Sequence, residues 1–141
     1  KIIKYKNLVI SRFLLYNNIM KKELRSKYLL IRKNIPNRYK LDEIIYQKVI
    51  NHPKVKQSKT IFIYVSFNYE VDTIKIIEYL LKYKEVAVPK IENNKMNFYL
   101  INNLSELSPG TFNILEPTTK RVLTDFSNAI CITPGICFSF Y

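Results

Sequence analysis

Thr60 to Val65 are all β-branched or aromatic and carry no charge, and polar groups enter only afterwards, at Ser66, Asn68 and Glu70. An uncharged run of this kind predicts a strand buried on both faces. Ile74, Ile77 and Leu81 then recur at helical spacing, with Ile76 and Leu80 beside them, so a helix is predicted that Asp72 or Thr73 caps and that ends near Lys82. Val86, Ala87 and Val88 make a second short apolar strand, which Pro89 is expected to stop. Strand, helix and strand in this order imply two parallel strands joined by a right-handed crossover, with both carboxyl ends on one edge. Ligands of open α/β sheets bind at that edge, which makes residues 66–70 and 89–91 the first candidates for a site.

The flanking patterns add helices before this unit and strands after it. From Lys21 to Lys33, Leu24, Tyr28, Leu29 and Ile31 fall on one side while Lys21, Arg25 and Arg32 follow another, which describes a basic helix packed on something. A second helix is predicted from about Arg38 to His52, with Leu41, Ile44, Ile45, Val49 and Ile50 as its buried stripe. His52 is the single histidine of the chain and reads as a surface residue at a helix end. Met96, Phe98 and Leu100 alternate with Asn97 and Tyr99, as in a half-buried strand pairing antiparallel with the one before. A short helical turn is expected at Leu104 to Leu107. The apolar stretch from Ser108 to Pro117 is then a loop long enough to line something. A last strand runs from Ala129 to Thr133 and ends at Pro134-Gly135. The fold class is α/β, an open and mostly parallel sheet flanked by helices.

Composition narrows the class without choosing a function. With 141 residues, 48% hydrophobic, 24% charged and two glycines, the chain fits one packed domain and excludes a low-complexity or disordered segment. No apolar run is long enough to cross a bilayer as a helix. The net charge of +12 is uneven: residues 1–59 hold 16 Lys/Arg against 3 Asp/Glu, and residues 60–141 hold 7 against 8. Such an excess suits a nucleic-acid-binding face. It also suits the bias of an AT-rich coding sequence, because Lys outnumbers Arg 18 to 5 and phosphate-reading surfaces favour the arginine fork. An anionic small ligand is compatible with either reading. Cys131 and Cys137 are too few and too far from any second pair for a zinc site, and Cys131, in an apolar run, reads as a small buried hydrophobe. Nothing suggests a disulfide framework, so a reducing cytoplasm is the expected location. Residues 1–19 begin without Met and mix charge with short apolar pieces; Arg12 interrupts the apolar core that a signal peptide would need, and no small-residue cleavage site follows, so none is expected here. They read as sequence upstream of a native start at Met20, or as an amphipathic leader, with the domain occupying 20–141.

Several segments, in order, resemble the 5-formyltetrahydrofolate cyclo-ligase family. Lys21-Lys-Glu-Leu-Arg25 is similar to its opening K-x-x-L-R, and Tyr64-Val-Ser66 with Glu70-Val-Asp-Thr73 is similar to its substrate segment. Val88-Pro-Lys90, Met96, Phe112-Asn-Ile-Leu-Glu-Pro117 and Pro134-Gly135 with Phe138 continue the register. The family's next motif, a loop of the form R-x-G-x-G-x-G-Y-Y-D that cradles ATP phosphates and ends in a metal-binding Asp, lies beyond Tyr141. The resemblance therefore implies the N-terminal part of a cyclo-ligase fold with Rossmann-like layering, expected to be inactive by itself.

What the resemblance implies for function is specific. ATP and Mg2+ would be used to convert 5-formyltetrahydrofolate into 5,10-methenyltetrahydrofolate. Lys21, Lys22, Glu23, Leu24 and Arg25 would bind ATP. Val65, Glu70 and Phe112 would bind the reduced folate, Glu70 by accepting paired N–H bonds from the pterin's amino-pyrimidine edge and Phe112 by stacking. No catalytic residue and no metal ligand is assigned within these residues. The partners implied are small molecules, not nucleic acid or membrane, with a monomer expected for the full-length protein. Without the resemblance, Lys21 and Arg25 read as a solvated basic face and Phe112 as a core residue, while Glu70 is equally a loop acid at a helix start. Asp72 and Thr73 are read as helix caps. A nucleic-acid-binding module and a non-catalytic remnant stand as alternatives.

Overall fold

The structure, a computed structural model, describes residues 20–110 and 113–137. The expectations placed on residues 1–19, Phe112 and Phe138 fall outside them. The described chain divides into two compact units, one holding residues 20–36 and 135–137 and the other Asn37–Pro134.

In the first unit, residues 20–33 form a helix, α1, whose last turn closes with the Asn34 N–H on the Leu30 and Ile31 carbonyls. Arg32 donates to the carbonyl of Gly135. The expected packed stripe is not observed: Leu24, Tyr28, Leu29 and Ile31 all keep more than a third of their surface exposed.

The larger unit is built on a four-stranded sheet. Its elements are α2 (Arg38–Asn51), α3 (Pro53–Gln57), β1 (Thr60–Ile63), α4 (Ile74–Leu80), β2 (Glu85–Glu92), β3 (Lys95–Ile101), a 3-10 turn (Leu104–Glu106), β4 (Leu107–Pro109), β5 (Leu115–Pro117) and β6 (Ala129–Ile132). The sheet order is β3-β2-β1-β6. β1 pairs parallel with β2, Ile61 opposite Val86, and parallel with β6, Ile61 opposite Ile130. β3 returns antiparallel to β2. The mostly parallel α/β sheet expected from the hydrophobic pattern is therefore the observed one.

The unbroken apolar run of β1 follows from its central place. Ile61 and Ile63 point into the main core with Val86, Val88, Ile101, Val55 and the α4 residues Ile76, Ile77 and Leu80. Phe62 points the other way, to Ala87 and Leu123, with Phe98, Leu100 and Ala129 packed around them. No helix covers this second face in the larger unit. The irregular segment after β5 does so: Val122 bridges to Tyr99, Leu123 packs inward, and Phe126 stacks on Phe62 with ring centroids 5.3 Å apart.

Four expectations are corrected. Pro89 does not stop β2 but sits within it, because β1 pairs only with Glu85 to Ala87 and at Pro89 the strand has only β3 as a ladder partner, so the missing N–H faces no neighbour. In β3, Tyr99 and Ile101 are the buried residues, while Met96 is exposed. Met96 lies beyond the end of β1, opposite Ile91 near the hairpin turn, where neither face is covered. In α2, Leu41 and Ile44 are exposed, whereas Val49 leans on the core as expected, joined by Tyr46, and Ile45 and Ile50 are half-buried. The helix is turned so that Tyr46 meets Tyr79 of α4 edge-on, 6.1 Å between centroids. The stretch from Ser108 to Pro117 is partly a β4-β5 ladder, with Ser108 opposite Glu116.

Candidate functional site

The three parallel strands run the same way, so their carboxyl ends share one edge. The first connection there is residues 64–73, and the side chains of that segment fasten it. Thr73 is 1% exposed. Its Oγ1 accepts the Ser66 N–H at 2.9 Å and donates to the Tyr64 carbonyl at 2.8 Å. The Ser66 hydroxyl accepts the Thr73 N–H at 3.2 Å and donates to Asp72 Oδ1 at 3.4 Å. Tyr64 donates its hydroxyl to the Val71 carbonyl at 3.2 Å. Of the two expected caps, Asp72 accepts the Ile74 N–H at 2.9 Å, whereas Thr73 occupies the cap position but turns its oxygen to the loop. The reason is burial: at 1% exposure Thr73 has two loop backbone groups to satisfy, and Asp72, outside, serves the helix.

At the tip, Phe67 to Glu70 make a tight turn. The Glu70 N–H donates to the Phe67 carbonyl at 3.1 Å, and Asn68 takes a left-handed conformation with φ 52, which asparagine tolerates better than most residues. Glu70 is half-buried, and its Oε2 accepts the Phe67 N–H at 3.0 Å. Its Oε1 has no hydrogen-bond partner among the described residues. Arg38, the first residue of α2, donates through its guanidinium to the carbonyls of Tyr69 and Glu70.

Lys90 and Glu92, on the carboxyl half of β2, form a further polar group with Tyr99 of β3. Lys90 Nζ lies 3.0 Å from Glu92 Oε1, and the Tyr99 hydroxyl donates to Glu92 Oε2. These bonds, Tyr99 first and Lys90 second, hold the Glu92 carboxyl below the usual carboxylate range. The same carboxylate raises the Lys90 ammonium and the Tyr99 phenol above theirs. Sequence reading picked out Val88-Pro-Lys90 but not Glu92 or Tyr99. The signal available was the two-residue spacing that puts Val88, Lys90 and Glu92 on one face; the register that brings Tyr99 there was not visible.

The site residues expected from sequence are distributed as follows. Val65, 6% exposed, and Glu70 lie on the same connection after β1. Val65 is a member of the main core, so only a small part of it is open to a ligand. Lys21, Lys22, Glu23, Leu24 and Arg25 lie on α1 in the other unit, all exposed. The expectation for Phe112 is outside the described residues. Cys131, expected to be buried, is exposed; among the described residues β6 is an edge strand with no neighbour beyond it in the sheet. What burial it has pushes its thiol pKa up. His52 is a surface residue at a helix end as expected, and its Nδ1 accepts the Lys54 N–H at 3.2 Å to cap α3. Among the described residues no three of His, Cys, Asp and Glu converge to hold a metal ion, and no helix is long and apolar enough to cross a membrane.

Comparison with known proteins places these features in a family. The sequence profile of the 5-formyltetrahydrofolate cyclo-ligase family matches residues 17–140. Among solved structures, the chain is similar to the NMR structure of Aquifex aeolicus 5,10-methenyltetrahydrofolate synthetase, with 30% identity and a TM-score of 0.75 over 83% of this chain and 61% of that one. A 5,10-methenyltetrahydrofolate synthetase from Mycoplasma pneumoniae aligns at 25% identity and a TM-score of 0.49, over 59% of this chain and 54% of that one. None of the curated proteins matches significantly. The chain thus spans about 61% of the length of the Aquifex protein.

Proposed function

Because this chain belongs to the 5-formyltetrahydrofolate cyclo-ligase family, we propose that it binds reduced folate at the carboxyl edge of its sheet and serves the ATP-dependent conversion of 5-formyltetrahydrofolate to 5,10-methenyltetrahydrofolate. The observation that carries the reading is Glu70: a half-buried carboxylate beside the parallel strands' carboxyl ends, with one oxygen tied to Phe67 N–H and the other without a partner among the described residues. A carboxylate so held accepts N–H bonds in a fixed direction, which suits the amino-pyrimidine edge of a pterin. Val65 contributes the floor of the same site and Phe112 the stacking ring.

The chemistry requires activation because an amide oxygen is a poor leaving group. The γ-phosphoryl group of ATP passes to the formyl oxygen, releasing ADP. N10 attacks the formyl carbon and loses its proton, and the C–O bond breaks to release inorganic phosphate. The chain's part is positioning and charge neutralisation. On α1, Lys21 and Arg25 stand one turn apart and would share the nucleotide phosphates, flanked by Lys22, Glu23 and Leu24. A magnesium ion accompanying ATP finds no set of three ligands among the described residues, so its coordination would rest on phosphate oxygens and other groups. The reading includes small-molecule partners only, a monomer, and a cytoplasmic setting, in keeping with free Cys131 and Cys137.

Two measurements test it. Calorimetric binding of 5-formyltetrahydrofolate should weaken about tenfold to a hundredfold in Glu70→Gln, the loss of a charge-assisted hydrogen bond. Unchanged affinity would remove Glu70 from the site. Formation of the methenyl product, followed by its near-ultraviolet absorbance with 5-formyltetrahydrofolate and magnesium, should occur in the full-length protein only when ATP is present; the same assay on residues 1–141 tests the expectation that they are inactive by themselves.

A further inference from the structure

Helix α2 begins with a charge of the unfavourable sign. Its first turn holds no acidic residue, Arg38 stands at its first position, and Asn37, left-handed with φ 53, makes no side-chain cap. A cation at a helix N-terminus opposes the helix dipole. Asp42, four residues on, offsets part of this at 3.8 Å, but it does not explain why an arginine is there. The contacts do. The guanidinium of Arg38 donates to two successive carbonyls, those of Tyr69 and Glu70. These belong to the two peptide planes that meet at the Glu70 Cα, so holding both oxygens restrains φ and ψ of Glu70 and with them the direction of its Cα–Cβ bond. The carboxylate end is restrained separately by the Phe67 N–H.

We infer that Arg38 is a positioning residue for substrate recognition: it fixes the backbone on both sides of Glu70, so that the carboxylate meets the folate's N–H edge at a set angle. The inference rests on the reading of Glu70 as the folate-binding carboxylate. Both bonds leave one guanidinium nitrogen, Nη2, which the planar group holds in a set direction, whereas a lysine ammonium on its flexible stem would reach the same carbonyls without fixing that direction. Asp42 supports the role from within α2, its Oδ2 lying 3.8 Å from the Nε of the same guanidinium.

The test is a set of binding measurements on the full-length protein with 5-formyltetrahydrofolate and with an analogue lacking the 2-amino group. Arg38→Lys should weaken folate binding about tenfold, the loss of one hydrogen bond to a charged group, and should narrow the discrimination between folate and analogue. Combined with Glu70→Gln it should add little, because both changes remove the same directed contact. A merely structural role would lower the melting temperature without narrowing that discrimination, and its effect would add to that of Glu70→Gln. Asp42→Asn, which keeps the helix and removes only the anion, is the second variant and should weaken binding by about threefold, again without adding to Glu70→Gln. Weakened binding in Glu70→Gln with unchanged binding in Arg38→Lys and Asp42→Asn would overturn the role of Arg38 alone. No effect of Glu70→Gln would overturn the reading of Glu70 and the inference with it.

Discussion

Replacing Thr73 by valine removes one oxygen from a side chain that is 1% exposed, and the structure lets the consequence be sized. That oxygen satisfies a donor, Ser66 N–H, and an acceptor, the Tyr64 carbonyl, at 2.9 and 2.8 Å. Valine fills nearly the same volume and satisfies neither. A buried polar group left without its partner costs about 1–3 kcal/mol. Tyr64 and Ser66 are half-buried, so water recovers part of this, and the two losses together come to about 2–4 kcal/mol. That is a large share of a total stability of about 5–15 kcal/mol. With a urea dependence of about 1–3 kcal/mol per molar, the unfolding midpoint followed by circular dichroism should fall by about 1–2 M. Thr73→Ser keeps the oxygen and loses a methyl group, costing about 1 kcal/mol. Equal midpoints for the two variants would refute the argument, because the hydroxyl would then contribute nothing. The loop fastened by Thr73 also carries Glu70, so the valine variant should bind 5-formyltetrahydrofolate more weakly than the serine variant.

Arg25→Ala and Lys21→Ala should each weaken ATP binding about tenfold to a hundredfold in the full-length protein, measured by calorimetry; unchanged affinity in both would return that face of α1 to solvent. Ile77→Ala, at a fully buried position of the main core, should cost about 2–5 kcal/mol in urea unfolding, and a loss below about 1 kcal/mol would mean that the α4 packing is looser than described. The Lys75–Glu43 pair joins α4 to α2, with its hydrogen bond lowering the Glu43 pKa from 4.5 and raising that of Lys75 from 10.5. Its contribution is therefore present above the ordinary glutamate value and lost as pH falls through the lowered one. On the alkaline side it is lost as pH rises through the raised lysine value. Lys75→Met should flatten the acid limb of the stability profile, and an unchanged limb would show that the pair is too solvated to matter.

What was legible in the chain was whatever a local pattern can encode. β1 could be placed from its composition because a long uncharged apolar run suits a central parallel strand, which is apolar on both faces. Parallel pairing followed from the helix between two strands, and the edge that carries Glu70 followed from parallel pairing. β3 followed only in part: Phe98 and Leu100 pack on one face as expected, but Tyr99 and Ile101 on the other face are the more buried and Met96 is exposed, because both faces of the sheet are covered near Phe98 to Ile101 and that lies in the pairing and not in β3 itself. α2 was likewise read in part: Val49 packs on the core as expected, but Leu41 and Ile44 do not, and Tyr46, which meets Tyr79 edge-on, was not in the expected stripe. Cys131 was misjudged because an edge strand and a central strand share a composition.

Two residues of the site show the limit most clearly. Thr73 precedes a helix, and local rules assign a threonine there to capping; its oxygen instead goes to residues seven and nine positions earlier, because burial leaves those backbone groups without water. Arg38 is 31 and 32 residues from the carbonyls that it holds, and nothing about its neighbours announces that contact. Yet one trace was there to be read. An arginine at the start of a helix whose first turn holds no acid opposes the dipole, and a residue that opposes its own element is held there by something outside that element. The same reasoning applies to Asn68, whose left-handed backbone makes sense only as part of the turn that ties Glu70 to Phe67. Local conflict, more than local agreement, therefore marks the residues through which this fold sets the direction of Glu70.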